Sequence, residues 1–151
     1  MLHDHSSKTV IGFVYFVLPT VLIFLLAAIF SWAEAADALP DANASAAVAF
    51  LTEYGWMVDP ASCETAEVLI PSEFGAVYES YNALQRSQGF DLSPLRGSRA
   101  ERYSFIVTNY PGYEDSGTVH ANVLFVGKEI VAADLCSVAL DGFIRGVISN
   151  Q

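Results

Sequence analysis

Residues 118–137 read TVHANVLFVGKEIVAADLCS, and their pattern decides the fold class. Two runs rich in Val, Ile, Leu and Phe flank Gly127-Lys128. Such runs form strands because branched and aromatic side chains pack well on a pleated, half-buried surface. A pair with glycine first suits a two-residue hairpin turn, whose first central residue needs positive φ. The spacing therefore predicts a strand over 118–126, a turn at 127–128 and a returning strand over 129–137. A two-residue turn also sets the register, so Phe125 faces Ile130, Ala121 faces Asp134 and Val119 faces Cys136. His120 then points to the other face with Asn122 and Leu135, and only a bulge would bring His120 and Asp134 to one side.

Working outward, residues 102–110 read as another strand, with Tyr103, Phe105 and Val107 alternating with Ser104 and Thr108. Residues 111–117 form a turn and 91–97 a loop containing Pro94. Pro71-Ser72-Glu73 looks like a helix start, with Ser72 as cap and Glu73 at the positive end of the dipole. Phe74, Val77, Tyr78, Tyr81 and Leu84 follow at helical spacing, a stripe expected to face a sheet, and Gly89 closes the helix. Two short strands, 56–58 and 63–70, are expected on either side of Asp59-Pro60. Asp41 can cap a helix over 42–54 with Val48 and Leu51 on its apolar stripe, joined by Ala47 and Tyr54. Asp141 can cap a short last helix over 142–148. The order of elements gives an α+β domain: an antiparallel sheet of about five strands with helices mainly on one face.

The N-terminal third reads differently. Residues 10–30 contain no charged side chain. As a helix they would span roughly 31 Å, close to the roughly 30 Å of a bilayer's hydrocarbon core. Pro19 near the middle is tolerated in spanning helices when neighbouring groups satisfy the freed backbone. Lys8 precedes the run, and no Lys or Arg follows until Arg86, which places the N-terminus inside and the domain outside. The expected organisation is a cytoplasmic tail (1–9), a transmembrane signal anchor (10–30), a linker (31–40) and an extracytoplasmic domain (41–151). Cleavage near Ala35 is the rival reading, supported by Ala33-Glu34-Ala35 and opposed by the length of the run. Both readings export the domain.

Beyond Phe30 there are 16 acidic and 6 basic residues, a net charge of −10. Such a surface repels nucleic-acid backbones, so no nucleic-acid partner is expected. Cys63 and Cys136 both fall in the exported part. An oxidising compartment allows them to form a disulfide, which would add roughly 4 kcal/mol by restricting the unfolded chain. Two separate buried thiols are the alternative.

No arrangement of Ser, Cys or His gives an activated nucleophile, and no pair of Cys or His has zinc spacing, so no catalytic residue, metal or cofactor is assigned. Glu114-Asp115-Ser116 lacks the alternation of a calcium loop and reads as a solvated turn. Asp134 is flanked by apolar residues on a central strand, where a carboxylate needs hydrogen bonds or a cation. Arg96, Arg99 and Arg102 gather positive charge on an acidic chain, either for local salt bridges or for binding an anion. Arg96, Arg99, Arg102 and Asp134 are therefore the candidate binding residues.

Several short motifs complete the reading: Tyr54-Gly55-Trp56, Ile70-Pro71-Ser72-Glu73-Phe74, Tyr81-Asn82-Ala83-Leu84-Gln85 and Gln88-Gly89-Phe90-Asp91-Leu92. Arg102-Tyr103, Asn109-Tyr110-Pro111, Asp134-Leu135-Cys136-Ser137 and Leu140-Asp141-Gly142-Phe143 follow. With them, the chain from residue 54 to 143 resembles an uncharacterised domain family of Gram-positive bacteria (Firmicutes/Clostridia type), found in short proteins with an N-terminal hydrophobic anchor. The resemblance implies no activity and transfers no site residue. Ala132-Ala133 stand where the family has glycines, and Cys63 has no place in its pattern. The expected function is a membrane-anchored, non-catalytic module binding an extracytoplasmic protein or envelope polymer. The alternatives are a small hydrolase using Asp134 or Asp141, and a structural or regulatory subunit of a membrane complex.

Overall fold

The central hairpin forms, but with one residue more than a simple turn predicts. The computed structural model describes residues 39–114 and 116–148. Strands β3 (Val119–Val126) and β4 (Glu129–Ser137) pair antiparallel around Gly127, whose φ of +65° is the conformation the turn demands. Phe125 faces Ile130 as the spacing predicts. The register then slips at Val131, so Leu124 faces Ala132, Asn122 faces Asp134 and His120 faces Cys136. A bulge reverses the facing of every residue beyond it. Asp134 and Cys136 therefore share a face with His120 and Asn122, which corrects the expected pairing of Ala121 with Asp134.

Strand β2 (Arg99–Val107) lies beside β3, and β1 (Val58–Leu69) forms the outer edge beyond it. The two expected short strands are one, interrupted between Asp59 and Glu64. Pro60 has no N–H to give a ladder, so the chain bulges there, as proline requires in a sheet. Ser62 repairs the break by accepting the Ile106 N–H at 2.8 Å. Beyond β4, residues expected to be helical instead form the two-residue strand β5 (Ile144–Arg145), paired with Leu135 and Cys136. The result is an antiparallel meander in the order β1-β2-β3-β4-β5.

Helix α1 (Ala42–Glu53) begins at Asp41, whose carboxylate accepts the Ala44 N–H at 2.9 Å and the Tyr103 hydroxyl at 2.7 Å. Ala44, Ala47 and Leu51 are fully buried against Tyr103, Phe105 and Phe125. The small alanines let the helix lie close to the sheet. Truncating Leu51 would leave a cavity and cost about 2–5 kcal/mol.

Helix α2 (Ala76–Ser87) starts at Gly75 without a side-chain cap, so Ser72 does not play the expected part. Phe74, Tyr78 and Tyr81 of the expected stripe face the sheet, but Val77 does not, and two amides join the inward face. Val77 is 87% exposed, while Asn82 and Gln85 are fully buried. Tyr78 and Tyr81 pack with Ala100, Leu124 and Ala132, a separate cluster from the one under α1. The helices thus cover opposite faces of the sheet. The expectation of one covered face is corrected, because the inner residues of both faces are apolar and each requires a cover.

Two glutamines finish the sheet edge where β5 is too short. The Ala133 N–H donates to Gln85 Oε1 at 3.0 Å, and Gln88 Nε2 donates to the Ala133 carbonyl at 2.9 Å. Gln88 Oε1 also accepts the Ile148 N–H at 3.0 Å. Backbone groups that no strand reaches are satisfied by side chains. Gly146 is required here, since a Cβ would sit 2.7 Å from Gln88 Cδ. Ala132 and Ala133 are both fully buried.

Among the described residues no helix is long and apolar enough to cross a membrane. The expected span 10–30, the tail 1–9 and the linker up to residue 38 lie outside the described residues.

Candidate functional site

Helix α2 does not lie flat on its face of the sheet. Between them runs an open groove of about 850 Å³. Val77, Tyr78, Tyr81 and Leu84 form one wall, Val68 and Leu69 flank it, Asn122, Asp134 and Cys136 sit in the floor, and Arg102, an exposed residue, completes the lining. The bulge at Val131 is what turns Asp134 and Cys136 into this space.

Asp134 is only 4% exposed. Its Oδ2 accepts the Tyr81 hydroxyl at 2.9 Å, and its Oδ1 accepts Asn122 Nδ2 at 2.8 Å. Asn122 Oδ1 in turn accepts the Ser104 hydroxyl at 2.6 Å. The same Asn122 amide lies 3.4 Å from Cys136 Sγ. Burial pushes the Asp134 carboxyl above its ordinary range, opposed by the bonds from Asn122 and Tyr81 and by the charge of Arg102. Burial first, and the Asp134 charge second, push the Tyr81 hydroxyl upward. Burial also raises the Cys136 thiol, against the Asn122 bond that lowers it. A thiol held in this way is a poor nucleophile, since the thiolate is the reactive form.

The candidate arginines separate. Arg96 pairs with Glu79 at 3.3 Å and lies over the Phe74 ring at 4.3 Å. Arg99 pairs with Glu67, and both partners are largely solvated. Pairs of this kind contribute at most about 1 kcal/mol. Arg102 lines the groove, and among the described residues it has neither an ion-pair nor a hydrogen-bond partner. Asp134 and Arg102 therefore belong to one place, while Arg96 and Arg99 are engaged in local pairs.

Cys63 and Cys136 are free thiols. Cys63 packs with the cluster under α1, and Cys136 lines the groove on the opposite face. The two side chains thus stand on opposite faces of the sheet, the arrangement of the second alternative, two separate thiols. Among the described residues no three His, Cys, Asp or Glu side chains converge on a metal-sized site. Asp141 lies in an exposed turn outside the groove.

Tyr81, Asn122 and Ser104 are site residues that the sequence did not single out, and Cys136 stands out in the sequence only as a possible disulfide partner. Tyr81 was visible as part of a helical stripe, but its hydroxyl partner depended on the register slip. A second cavity of about 490 Å³ lies by Trp56, Tyr110, Tyr113, Phe143 and Arg145. Its rings are occupied with one another, Trp56 stacking on Tyr110 at 5.7 Å and Tyr110 on Phe143 at 4.9 Å. Trp56 Nε1 is also bonded to the Val147 carbonyl at 2.9 Å. This cluster closes one end of the sheet as a small aromatic core.

No curated protein and no solved structure matches the chain. Residues 50–135, more than half of the sequence, match the family described as Domain of unknown function (DUF4830). That interval contains Arg102, Asn122 and Asp134 of the groove and the whole of α2, with Cys136 one residue beyond it, and the chain belongs to the DUF4830 family.

Proposed function

We propose that this chain is a membrane-anchored, exported module that binds a component of the cell envelope in the groove between α2 and the sheet. The observation that carries the reading is the apolar groove of about 850 Å³, whose lining includes one cation, the exposed Arg102, without a protein partner among the described residues. Sites for small ligands are concave, mostly apolar and furnished with few polar groups, as this one is. The uncharged run 10–30 and the absence of Lys and Arg after it until Arg86 support the anchored, outward placement.

A photocrosslinking residue at Val77, on the rim, tests the binding surface in the full chain on intact cells. The same group at Ala49, on the exposed side of α1, is the control. The expected result is one adduct at Val77, lost on Arg102→Ala and not seen at Ala49. Equal adducts at both positions, or an adduct unchanged by Arg102→Ala, would overturn the reading.

One observation favours a second reading, a carboxylate-dependent enzyme. Asp134 lies in a cleft with its pKa raised by burial, as general acids often do. Both of its oxygens already accept hydrogen bonds, which favours a structural part. Turnover of ester or glycoside probes by the purified chain, abolished in folded Asp134→Asn, would favour the enzyme.

A further inference from the structure

We propose that the ligand of the groove is a single-chain carboxylate amphiphile, with its acyl chain along the apolar walls and its carboxylate at Arg102. The inference rests on the groove being the binding surface, and it names the class of ligand.

The argument is an account of polar groups. Ser80 Oγ is committed to the Ala76 carbonyl at 3.0 Å. The Tyr81 hydroxyl is committed to Asp134, and Asn122 uses its amide on Asp134 and its carbonyl on Ser104. Among the described residues, Arg102 and the Tyr78 hydroxyl are the lining groups left without hydrogen-bond partners. A peptide in this groove would bring an N–H and a carbonyl at nearly every residue, and a glycan would bring hydroxyls. Each polar group that the apolar walls cover and leave unpaired costs about 1–3 kcal/mol, while groups on the open side stay in water. An acyl chain brings none. Its single head group meets the one cation of the lining, the exposed Arg102.

Charge narrows the head group. A cationic head is repelled by Arg102. Each further negative charge on a head group is opposed by Asp134 in the same groove and by the net charge of −10, so a single charge is the least disfavoured anion. A monoanionic carboxylate matches a planar guanidinium through paired hydrogen bonds. The rim is also suited to a chain that extends past the groove, since Leu69, Val77 and Ile144 are 65%, 87% and 53% exposed. Covering exposed apolar side chains is favourable in proportion to their area.

Cys136 in the floor and Cys63 on the opposite face provide the assay. The full chain in zwitterionic lipid nanodiscs is alkylated with iodoacetamide, and the rate at each cysteine is read by peptide mass spectrometry. The probes are decanoate, decanol, decyltrimethylammonium and acetate. Decanoate is expected to slow Cys136 by roughly tenfold or more, the scale of one charge-assisted hydrogen bond added to chain burial, with Cys63 unchanged. Decyltrimethylammonium and acetate should leave Cys136 within about twofold of its free rate. Arg102→Gln should reduce protection by decanoate to the level of decanol. Val77→Asp, at an exposed position that does not threaten the fold, should weaken protection by decanoate. Equal protection by decanoate and decyltrimethylammonium, or decanoate protection intact in Arg102→Gln, would overturn the proposal. If decanoate protects nothing while the Val77 crosslink still captures one adduct, the ligand class is wrong and the binding surface stands. If both fail, both readings fall.

Discussion

Replacing Tyr81 by Phe removes one hydroxyl and keeps the ring that packs in the wall. The hydroxyl donates to Asp134 Oδ2 at 2.9 Å, and Asn122 holds the other oxygen. A hydrogen bond to a charged acceptor contributes about 1.5–3 kcal/mol, and one to a neutral acceptor about 0.5–1.5 kcal/mol. Asp134 has its folded pKa raised above 3.8, chiefly by burial. Between 3.8 and its folded value the folded chain binds more protons than the unfolded one, so this group's contribution to stability falls as pH rises through that window. The Tyr81 bond favours the charged form, so its removal raises Asp134 further. Tyr81→Phe is therefore expected to cost about 1 kcal/mol at the acid end of the window and about 2 kcal/mol at the alkaline end. Asp41 and Asp91 have lowered values and contribute stability that is lost as pH falls. Neither bonds to Tyr81, so their titrations cancel in the difference between the two proteins. Urea unfolding of the compact unit Leu39–Gln151, followed by Trp56 fluorescence from about pH 4 to about pH 8, gives that difference. A cost that does not change with pH would refute a hydrogen bond to an ionised Asp134.

Three further outcomes are expected. Gln88→Ala leaves the Ala133 carbonyl and the Ile148 N–H without their partner and should cost about 2–4 kcal/mol; Gly146→Ala should be destabilising alone yet much less so on a Gln88→Ala background, and urea unfolding of the double-mutant cycle checks that coupling. Arg96→Ala and Arg99→Ala should each change stability by less than about 1 kcal/mol, because their pairs are solvated, and should leave the Val77 adduct in place, which unfolding and crosslinking measure separately. Alkylation of the unfolded chain without reductant should modify both Cys63 and Cys136, as intact mass will show.

The sequence carried the hairpin, the Asp41 cap and the two helices, because each rests on a local pattern that tertiary packing reinforces. It did not carry the bulge at Val131. A run of Ile130, Val131, Ala132 and Ala133 is apolar on both faces and gives no alternation from which to find the extra residue. The error of one residue placed Asp134 and Cys136 on the wrong side and hid the site. The inward face of α2 follows the stripe at Phe74, Tyr78 and Tyr81 and departs from it elsewhere for a related reason. Val77 fits an apolar stripe but is exposed, while Asn82 and Gln85 are buried because Asn82 bonds the Leu92 N–H at 2.8 Å and Gln85 bonds Ala133. Buried amides that replace missing backbone partners look, in sequence, like surface residues. Of the candidate binding residues, Asp134 and Arg102 meet in the groove, and Arg96 and Arg99 do not join them.

The proposed function requires an occupied groove at the outer face of the membrane. A membrane-impermeant thiol reagent applied to intact cells tests it most directly, through the ratio of labelling at Cys136 to that at Cys63. The predicted result is labelling without permeabilisation, with a ratio below that of the purified, delipidated chain and restored by Arg102→Ala. Labelling only after lysis would contradict the outward placement, and a ratio equal to that of the purified chain would contradict an occupied groove.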